Sequence, residues 1–405
     1  MKTKFLKRAL CTTLACATVA GLGVGLTACQ PSDSETVRIV VGVQQTTGNN
    51  YNSMCNLLDA LKDELNFEYT TTLVDRNADA ALSTYQNQLL GGAQGIITMV
   101  DVDAATTRKI IEDCEANNAY YAGYMTDFAN TFANTDSAQA ENVEYILNSD
   151  AMLGAVTDGD IVRDGGTRGE FLFDEVVKTD ARVVTLCRAP LYAYPVAATA
   201  IDRFKELVEE YNAANEDDFT IVESVGAADD GALEVGFSMQ NVPDATVQDW
   251  KEKGVEAVIA VNSLGKKILT NVQTSAPEIG IYQIGWDDNI ISAFPQYIKT
   301  LCQTPAETII YPLIRVLNAV RGNSYTDEPA DVEDTLISGQ YIYITSEEEL
   351  EKARTSCMNF AEGNPVSASL ISVEEIKSLL AGEEGASFKK LVDTISSWTS
   401  ENVLK

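Results

Sequence analysis

Short β-rich runs alternate with helical stretches at near-even spacing through most of the chain, and this rhythm constrains the fold more than any other feature. TVRIVVGV (Thr36 to Val43) leads through a polar loop into Met54, Leu57, Leu58, Leu61 and Leu65 at helical spacing, with Ser53 placed to cap the helix start. The unit repeats: FEYTTTLV (67–74) and a helix over 78–90, GIITMV (95–100) and a helix over 104–114, then AYYAGYM (119–125). A polar stretch over 127–149 interrupts the rhythm, and AMLGAV (151–156) restarts it. A second series follows with RVVTLC (182–187), a helix over 196–211, FTIVESV (219–225), a helix near 244–253, AVIAV (257–261), a helix from Ser263, GIYQIG (280–285) and IKTLCQ (298–303). A helix over 305–320, QYIYI (340–344) and a largely acidic helical tail complete the chain. Alternation of this kind implies parallel sheets with right-handed crossovers. The expected fold class is therefore α/β, with two similar Rossmann-like lobes.

Ligands of open parallel sheets bind outside the carboxyl ends of the strands. In the first series those ends carry Gln44, Gln45, Thr46, Asn49, Asn50 and Tyr51, then Asp75, Arg76 and Asn77, then Asp101 and Asp103, then Thr126, Asp127 and Phe128. In the second they carry Arg188, Tyr192, Tyr194, Asn262, Ser263, Trp286, Asp287, Asp288 and Gln303. Amides, a few carboxylates and aromatic rings suit a small polar ligand with an apolar face. Singly, each of these residues is also a common turn former, helix cap or core-edge ring, so the reading is collective.

Several chemistries are excluded or left without support. The chain has no histidine, which removes the usual zinc ligand and the usual base of Ser and Cys nucleophiles. Asp75-x-Asn77-x-Asp79 begins like a calcium loop but lacks the glycine at the sixth position and has Gln86 where the bidentate Glu belongs. No Walker, GxSxG or HExxH pattern occurs, and no spacing singles out a catalytic carboxylate pair. No cofactor is expected, and the chain is read as a binding protein without enzymatic activity.

The first 28 residues have the zones of an export signal: Lys2, Lys4, Lys7 and Arg8, an apolar middle from Ala9 to Leu26, and small residues before Cys29. LTAC (Leu26 to Cys29) resembles the lipobox of bacterial lipoproteins, which implies cleavage before Cys29 and a diacylglycerol on its thiol. Two acyl chains anchor stably where one is marginal. Without the signal's four cations, 25 of the 29 Lys+Arg remain against 60 Asp+Glu, a formal charge of −35. Nucleic acid is a poor partner for such a field. Cys11 and Cys16 leave with the signal; Cys55, Cys114, Cys187, Cys302 and Cys357 remain, an odd number at wide spacings without CxxC, which favours buried free thiols.

The element order, together with VDRNADAALSTYQNQLLGGAQGIITMVDVDA (74–104), AVIAVNSLG (257–265), YQIGWDD (282–288) and LCQTPAE (301–307), resembles the type I periplasmic solute-binding proteins, in particular the ribose/galactose-like group that feeds ABC importers. The resemblance implies two lobes joined by a three-strand hinge that close on a ligand. It places Asn50 at a ligand-binding Asn, Tyr51 near the stacking aromatics, Asp127 at the Asp of an L-D-R motif, Asn262 at the Asn of N-D, Trp286 and Asp287 at F-D, and Gln303 at Q-x-P. Phe128 stands where L-D-R has its Arg, Ala198 where the second lobe offers another, and Ser263 replaces the Asp of N-D, so two sugar-gripping arginines are missing. Arg188 and Arg76 are the candidate substitutes. The expected ligand residues are thus Asn50, Tyr51, Asp127, Phe128, Arg188, Asn262, Trp286, Asp287 and Gln303.

The expected organisation is a signal over 1–28, a linker over 29–36, a first lobe of 37–158 plus 304–336, and a second lobe of 159–303 plus 337–405 that includes the acidic tail. The expected role is an extracytoplasmic, monomeric solute-binding lipoprotein anchored to the membrane through Cys29, serving an ABC permease and its ATPase. A lipid-anchored sensor for a membrane kinase or chemoreceptor, a nucleoside or amino-acid ligand in place of a sugar, and a surface hydrolase using two carboxylates are the alternatives.

Overall fold

The computed structural model describes residues 36–75, 77–126, 128, 138–158, 166–191, 194, 196–216, 218–236, 238–286 and 290–405. Cys29, Asp127 and Asp287 lie outside them. Among the described residues no helix is long and apolar enough to cross a membrane.

The first lobe is built on β1 (Val37–Val43), β2 (Phe67–Leu73), β3 (Gly95–Thr98), β4 (Tyr120–Tyr124) and β5 (Met152–Val156). With a late strand at Leu336–Ile337 they form a six-stranded sheet, every pair parallel, in which the late strand flanks β5 and β2 lies at the other edge. Helices α1 (Asn49–Leu61), α2 (Ala78–Leu90), α3 (Ala104–Ala116) and α4 (Ala140–Asn148) are its crossovers. Sequence reading locates α2 and α3 because local chemistry starts them: Asn77 accepts from Ala80 N, and Asp103 accepts from Thr106 N at 3.0 Å. These two strand-end residues are therefore helix caps. Asp75 similarly accepts from Asn77 N at 2.8 Å, closing a local turn.

The second lobe uses β6 (Val183–Arg188), β7 (Thr220–Ile221), β8 (Leu233–Glu234), β9 (Ala257–Ala260) and β10 (Gly280–Gln283), again all parallel, in the order β10-β9-β6-β7 with β8 also on β6. Helices α5 (Gly166–Val177), α6 (Val196–Ala214), α7 (Asp244–Glu252) and α8 (Gly265–Ser275) accompany these strands. Each sheet carries an apolar cluster on both faces, led by Leu57, Leu58 and Ile314 or Tyr85 and Ile110 in the first lobe, and Val258 and Ile268 or Ile201 and Phe204 in the second. Burying each such side chain is worth about 1.5–3 kcal/mol.

Three segments pass between the sheets: the chain after β5, the link from β11 (Leu301–Gln303) to α9 (Ile310–Val320), and the link from β12 (Leu336–Ile337) to β13 (Ile342–Ile344). They are tied together: β11 pairs antiparallel with β13, Thr157 N donates to Ile337 O at 3.0 Å, and Gly339 N donates to Thr157 Oγ1 at 3.3 Å. This is the hinge of a two-lobed α/β molecule.

Two expectations need correction. Helix α1 begins at Asn49, after Gly48 at φ 99°, so Ser53 sits buried inside the helix and does not cap it. The tail also packs differently from the expected assignment of 337–405 to the second lobe. Helix α10 (Glu347–Ser356) does place Leu350 and Ala353 in a second-lobe cluster. Beyond it, Met358, Ile371 and Ile376, with Phe388, Leu391 and Ile395 of α12 (Phe388–Ser396), join the first-lobe core, and short α11 (Val373–Lys377) lies between. The last turn, α13 (Ser400–Val403), returns to the hinge, where Ser400 Oγ accepts from Tyr343 N at 2.7 Å. An amphipathic helix advertises that one face is buried, not which sheet buries it.

Candidate functional site

At the carboxyl end of the second sheet, against the hinge, lies a cavity of about 270 Å³. Its wall takes Ala189 after β6, Val235 after β8, Asn262, Ser263 and Leu264 after β9, Ile284, Gly285 and Trp286 after β10, and Cys302 and Gln303 of β11. Asp158, Arg168 and Tyr341 close the hinge side, and Tyr194 and Lys267 complete it.

The local sequence explains this convergence. Asn262 accepts from Ala189 N at 2.8 Å, which fastens the end of β9 to that of β6 and leaves its amide nitrogen as a donor at the cavity. Gly285 has φ +116°, and a Cβ there would lie 2.5 Å from Ser263 Cβ; only glycine lets the end of β10 approach so closely. Gly285 N donates to Cys302 Sγ at 3.2 Å, linking β10 to β11. Burial pushes the Cys302 thiol up to about 12, so it stays protonated and non-nucleophilic at neutral pH.

Of the expected ligand residues, Asn262, Trp286 and Gln303 are brought together here. Trp286 is 8% exposed, packs its ring edge-on against Phe360 of the tail at 4.6 Å, and has no hydrogen-bond partner for Nε1 among the described residues. Arg188 lies behind the wall, 4% exposed, ion-paired to Asp230 at 2.5 Å and Glu234 at 2.6 Å. Its charge is offset within the lobe, so the structure does not offer it as a substitute for a missing arginine. Phe128 is fully buried in the first-lobe core, its ring stacked on Tyr121 at 6.0 Å, and is not part of this cavity's wall. Tyr51 shares a hydrogen bond with Thr71 of β2 at 3.0 Å and packs against the first-lobe core.

Asn50 meets the tail. Asn359 Nδ2 donates to Asn50 Oδ1 at 2.7 Å, while Asn359 Oδ1 accepts from Ala306 N in the hinge at 2.6 Å. Nearby, the fully buried Glu307 accepts from Met358 N at 3.0 Å and Leu370 N at 3.3 Å. The segment around Asn359 thus contacts both lobes: Asn50 on one side, Trp286 through Phe360 on the other.

Sequence reasoning missed the hinge-side residues. Asp158 lies two residues past the end of β5 and the strand-end rule points to it; Arg168 and Tyr341 carry no local signal. Arg168 is 6% exposed, with Nη2 donating to Tyr341 Oη at 2.7 Å, Nη1 to Val261 O at 3.3 Å, and Nε without a partner among the described residues. Withdrawal from water raises the Asp158 carboxyl above the usual range, opposed by the Arg168 charge and the Thr304 hydroxyl.

No family model and no curated protein sequence matches the chain. Solved structures do. An ABC transporter periplasmic solute-binding protein from Actinobacillus succinogenes with bound D-allose matches with a TM-score of 0.55 and 11% identity over 77% of this chain and 98% of that one. A periplasmic ribose ABC transporter protein from Conexibacter woesei gives 0.53 and 12% over 78% and 93%. A solute-binding protein from Bacillus halodurans with bound myo-inositol gives 0.52 and 10% over 78% and 97%. Two parallel-sheet lobes, a hinge crossed three times and these neighbours together identify the two-lobed α/β fold of the type I periplasmic binding proteins.

Proposed function

We propose that the chain is the extracytoplasmic solute-binding lipoprotein of an ABC importer, tethered through Cys29 and holding a small polar, sugar-like solute in the second-lobe cavity. The observation that carries this reading is the convergence of Asn262, Trp286 and Gln303 on one cavity beside the hinge. An indole and two amides suit a molecule with an apolar face and a rim of hydroxyls. The protonated Cys302 offers no nucleophile, in keeping with capture in place of turnover. The solutes named with the structural neighbours, D-allose and myo-inositol, are polyhydroxylated. A solute bound next to the hinge favours one lobe arrangement over others, and a permease can read that difference.

The test is a thermal-shift screen of the mature chain against sugars, polyols, nucleosides and amino acids, with the sample then analysed for chemical conversion. A solute held at 100 times its dissociation constant stabilises by about 2.7 kcal/mol. A sugar-like hit recovered unchanged supports the reading. A hit confined to nucleosides or amino acids, or conversion of the solute, contradicts it. Mass spectrometry of the membrane-extracted protein tests the tether: a diacylated Cys29 at the amino terminus is expected, and an unmodified Cys29 refutes it.

A further inference from the structure

We propose that the solute carries a carboxylate and that Arg168 selects it. This rests on the cavity being the solute site, and narrows the class from sugar-like molecules to sugar acids.

Arg168, Arg188 and Arg315 are each no more than 7% exposed. Taking a guanidinium out of water costs several kcal/mol, so buried arginines are normally paired with carboxylates. Arg188 has Asp230 and Glu234, and Arg315 has Glu328. Arg168 makes no ion pair with any described carboxylate; its two hydrogen bonds go to neutral oxygens, the Val261 carbonyl and the Tyr341 hydroxyl. Its Nε is buried and unpartnered. Of the three, it is the one in the wall of the cavity, so the guanidinium that lacks a direct carboxylate partner lies where a solute would sit, with Asp158 acting on it only through the field.

Other groups in the same wall fit this assignment. Trp286 Nε1 is a second buried donor without a described partner, and Lys267 adds another cation. Asp158 acts on Arg168 through the field without reaching ion-pair distance, and is placed to accept from solute hydroxyls. A neutral sugar would satisfy donors with hydroxyl oxygens yet leave the guanidinium without a carboxylate in direct contact. A carboxylate supplies both an acceptor and the opposite charge. The strongly acidic surface does not prevent this, because exposed charges are screened beyond about 8 Å at physiological salt whereas a desolvated guanidinium acts at contact.

The experiment is calorimetric titration of the mature chain with matched pairs, galactose against galacturonate and glucose against glucuronate and gluconate, using wild type, Arg168→Met and Arg168→Lys. At least one acid should bind 100-fold or more tighter than its neutral partner. Arg168→Met should lose that binding by at least 100-fold while its ligand-free melting temperature stays level or rises, because a buried charge without a direct carboxylate partner has been removed. Arg168→Lys, which keeps the charge without the planar fork, should fall between and serves if the Met variant fails to fold. A neutral sugar that binds as tightly as its acid, with affinity retained in either variant, overturns the carboxylate assignment and leaves the solute-binding reading standing. No binding by any member of the pairs overturns the sugar-acid assignment, while the solute-binding reading stands or falls by the wider thermal-shift screen.

Discussion

Replacing Asn359 with Ala tests whether the tail fastens the first lobe to the hinge. The wild-type amide is fully buried and satisfies Ala306 N and Asn50 Oδ1 at 2.6 and 2.7 Å. Ala306 is itself fully buried, so its N–H would be stranded at a cost of about 1–3 kcal/mol, and loss of the bond to Asn50 adds about 0.5–1.5 kcal/mol. Destabilisation of about 2–4 kcal/mol is therefore expected. With an unfolding entropy near 2.1 cal/mol/K per residue, a chain of this size should melt roughly 3–5 °C lower by scanning calorimetry. Asn50→Ala alone should cost about 0.5–1.5 kcal/mol, and the double variant should reveal a coupling of about 1 kcal/mol. Asn50→Ala should also leave solute affinity within twofold, since its side chain serves the tail. An Asn359→Ala protein within about 0.5 kcal/mol of wild type, or a tenfold loss of solute affinity in Asn50→Ala, would refute this reasoning.

Two further predictions concern carboxylates that hold the tail. Burial raises the Glu307 carboxyl above the usual range, opposed by the N–H groups of Met358 and Leu370, so its contribution is fully present below the unfolded value and is lost as pH rises through the folded one. Glu307→Gln, which keeps an acceptor oxygen without the charge, should therefore gain stability relative to wild type as pH rises from about 4 to neutrality. A gap that stays constant with pH in paired thermal melts would contradict this. Asp327 has the opposite sign: bonds from Lys389 N, and then Phe388 N, hold its carboxyl below the usual range, so its stabilisation is present above about pH 4 and lost as pH falls through the folded value. Asp327 supports the start of α12 at 2.8 and 3.0 Å, and Asp327→Ala should cost about 1–2 kcal/mol at pH 7, the deficit vanishing in strong acid. Urea melts at pH 7 and pH 3 that show equal deficits would overturn the assignment.

The pattern of alternating strands and helices made the parallel sheets legible, because strands buried on both faces read as apolar runs and caps such as Asn77 and Asp103 mark helix starts. Tertiary partners were not legible. Asn49 and Asn50 read as a polar loop, yet they lie in the first turn of α1 and bond to Asn359 more than 300 residues later. Helix α5 was hidden by its glycines; Gly169 is required there because a Cβ would lie 2.5 Å from Ala200 O on α6. The short ladder of β7 shows the reverse case: FTIVESV has strand composition, but only Thr220 and Ile221 pair with β6. For the cavity, the strand-end rule found Asn262, Trp286 and Gln303 because each follows or ends a strand. It failed for Arg168 and Tyr341, which reach the cavity from a helix start and a hinge crossing and whose proximity exists only in the fold.

The most direct test of solute capture in the second-lobe cavity is calorimetric titration of a solute that stabilises the protein, comparing wild type with Gln303→Ala and Arg188→Met. Gln303 lines the cavity, whereas Arg188 lies behind it with two carboxylates of its own. Loss of one net hydrogen bond, about 0.5–1.5 kcal/mol, corresponds to a roughly 2- to 13-fold weaker complex. The account predicts one-to-one binding to wild type, weakening of that order in Gln303→Ala, and an unchanged dissociation constant in folded Arg188→Met. Wild-type affinity in Gln303→Ala together with lost binding in folded Arg188→Met would contradict it.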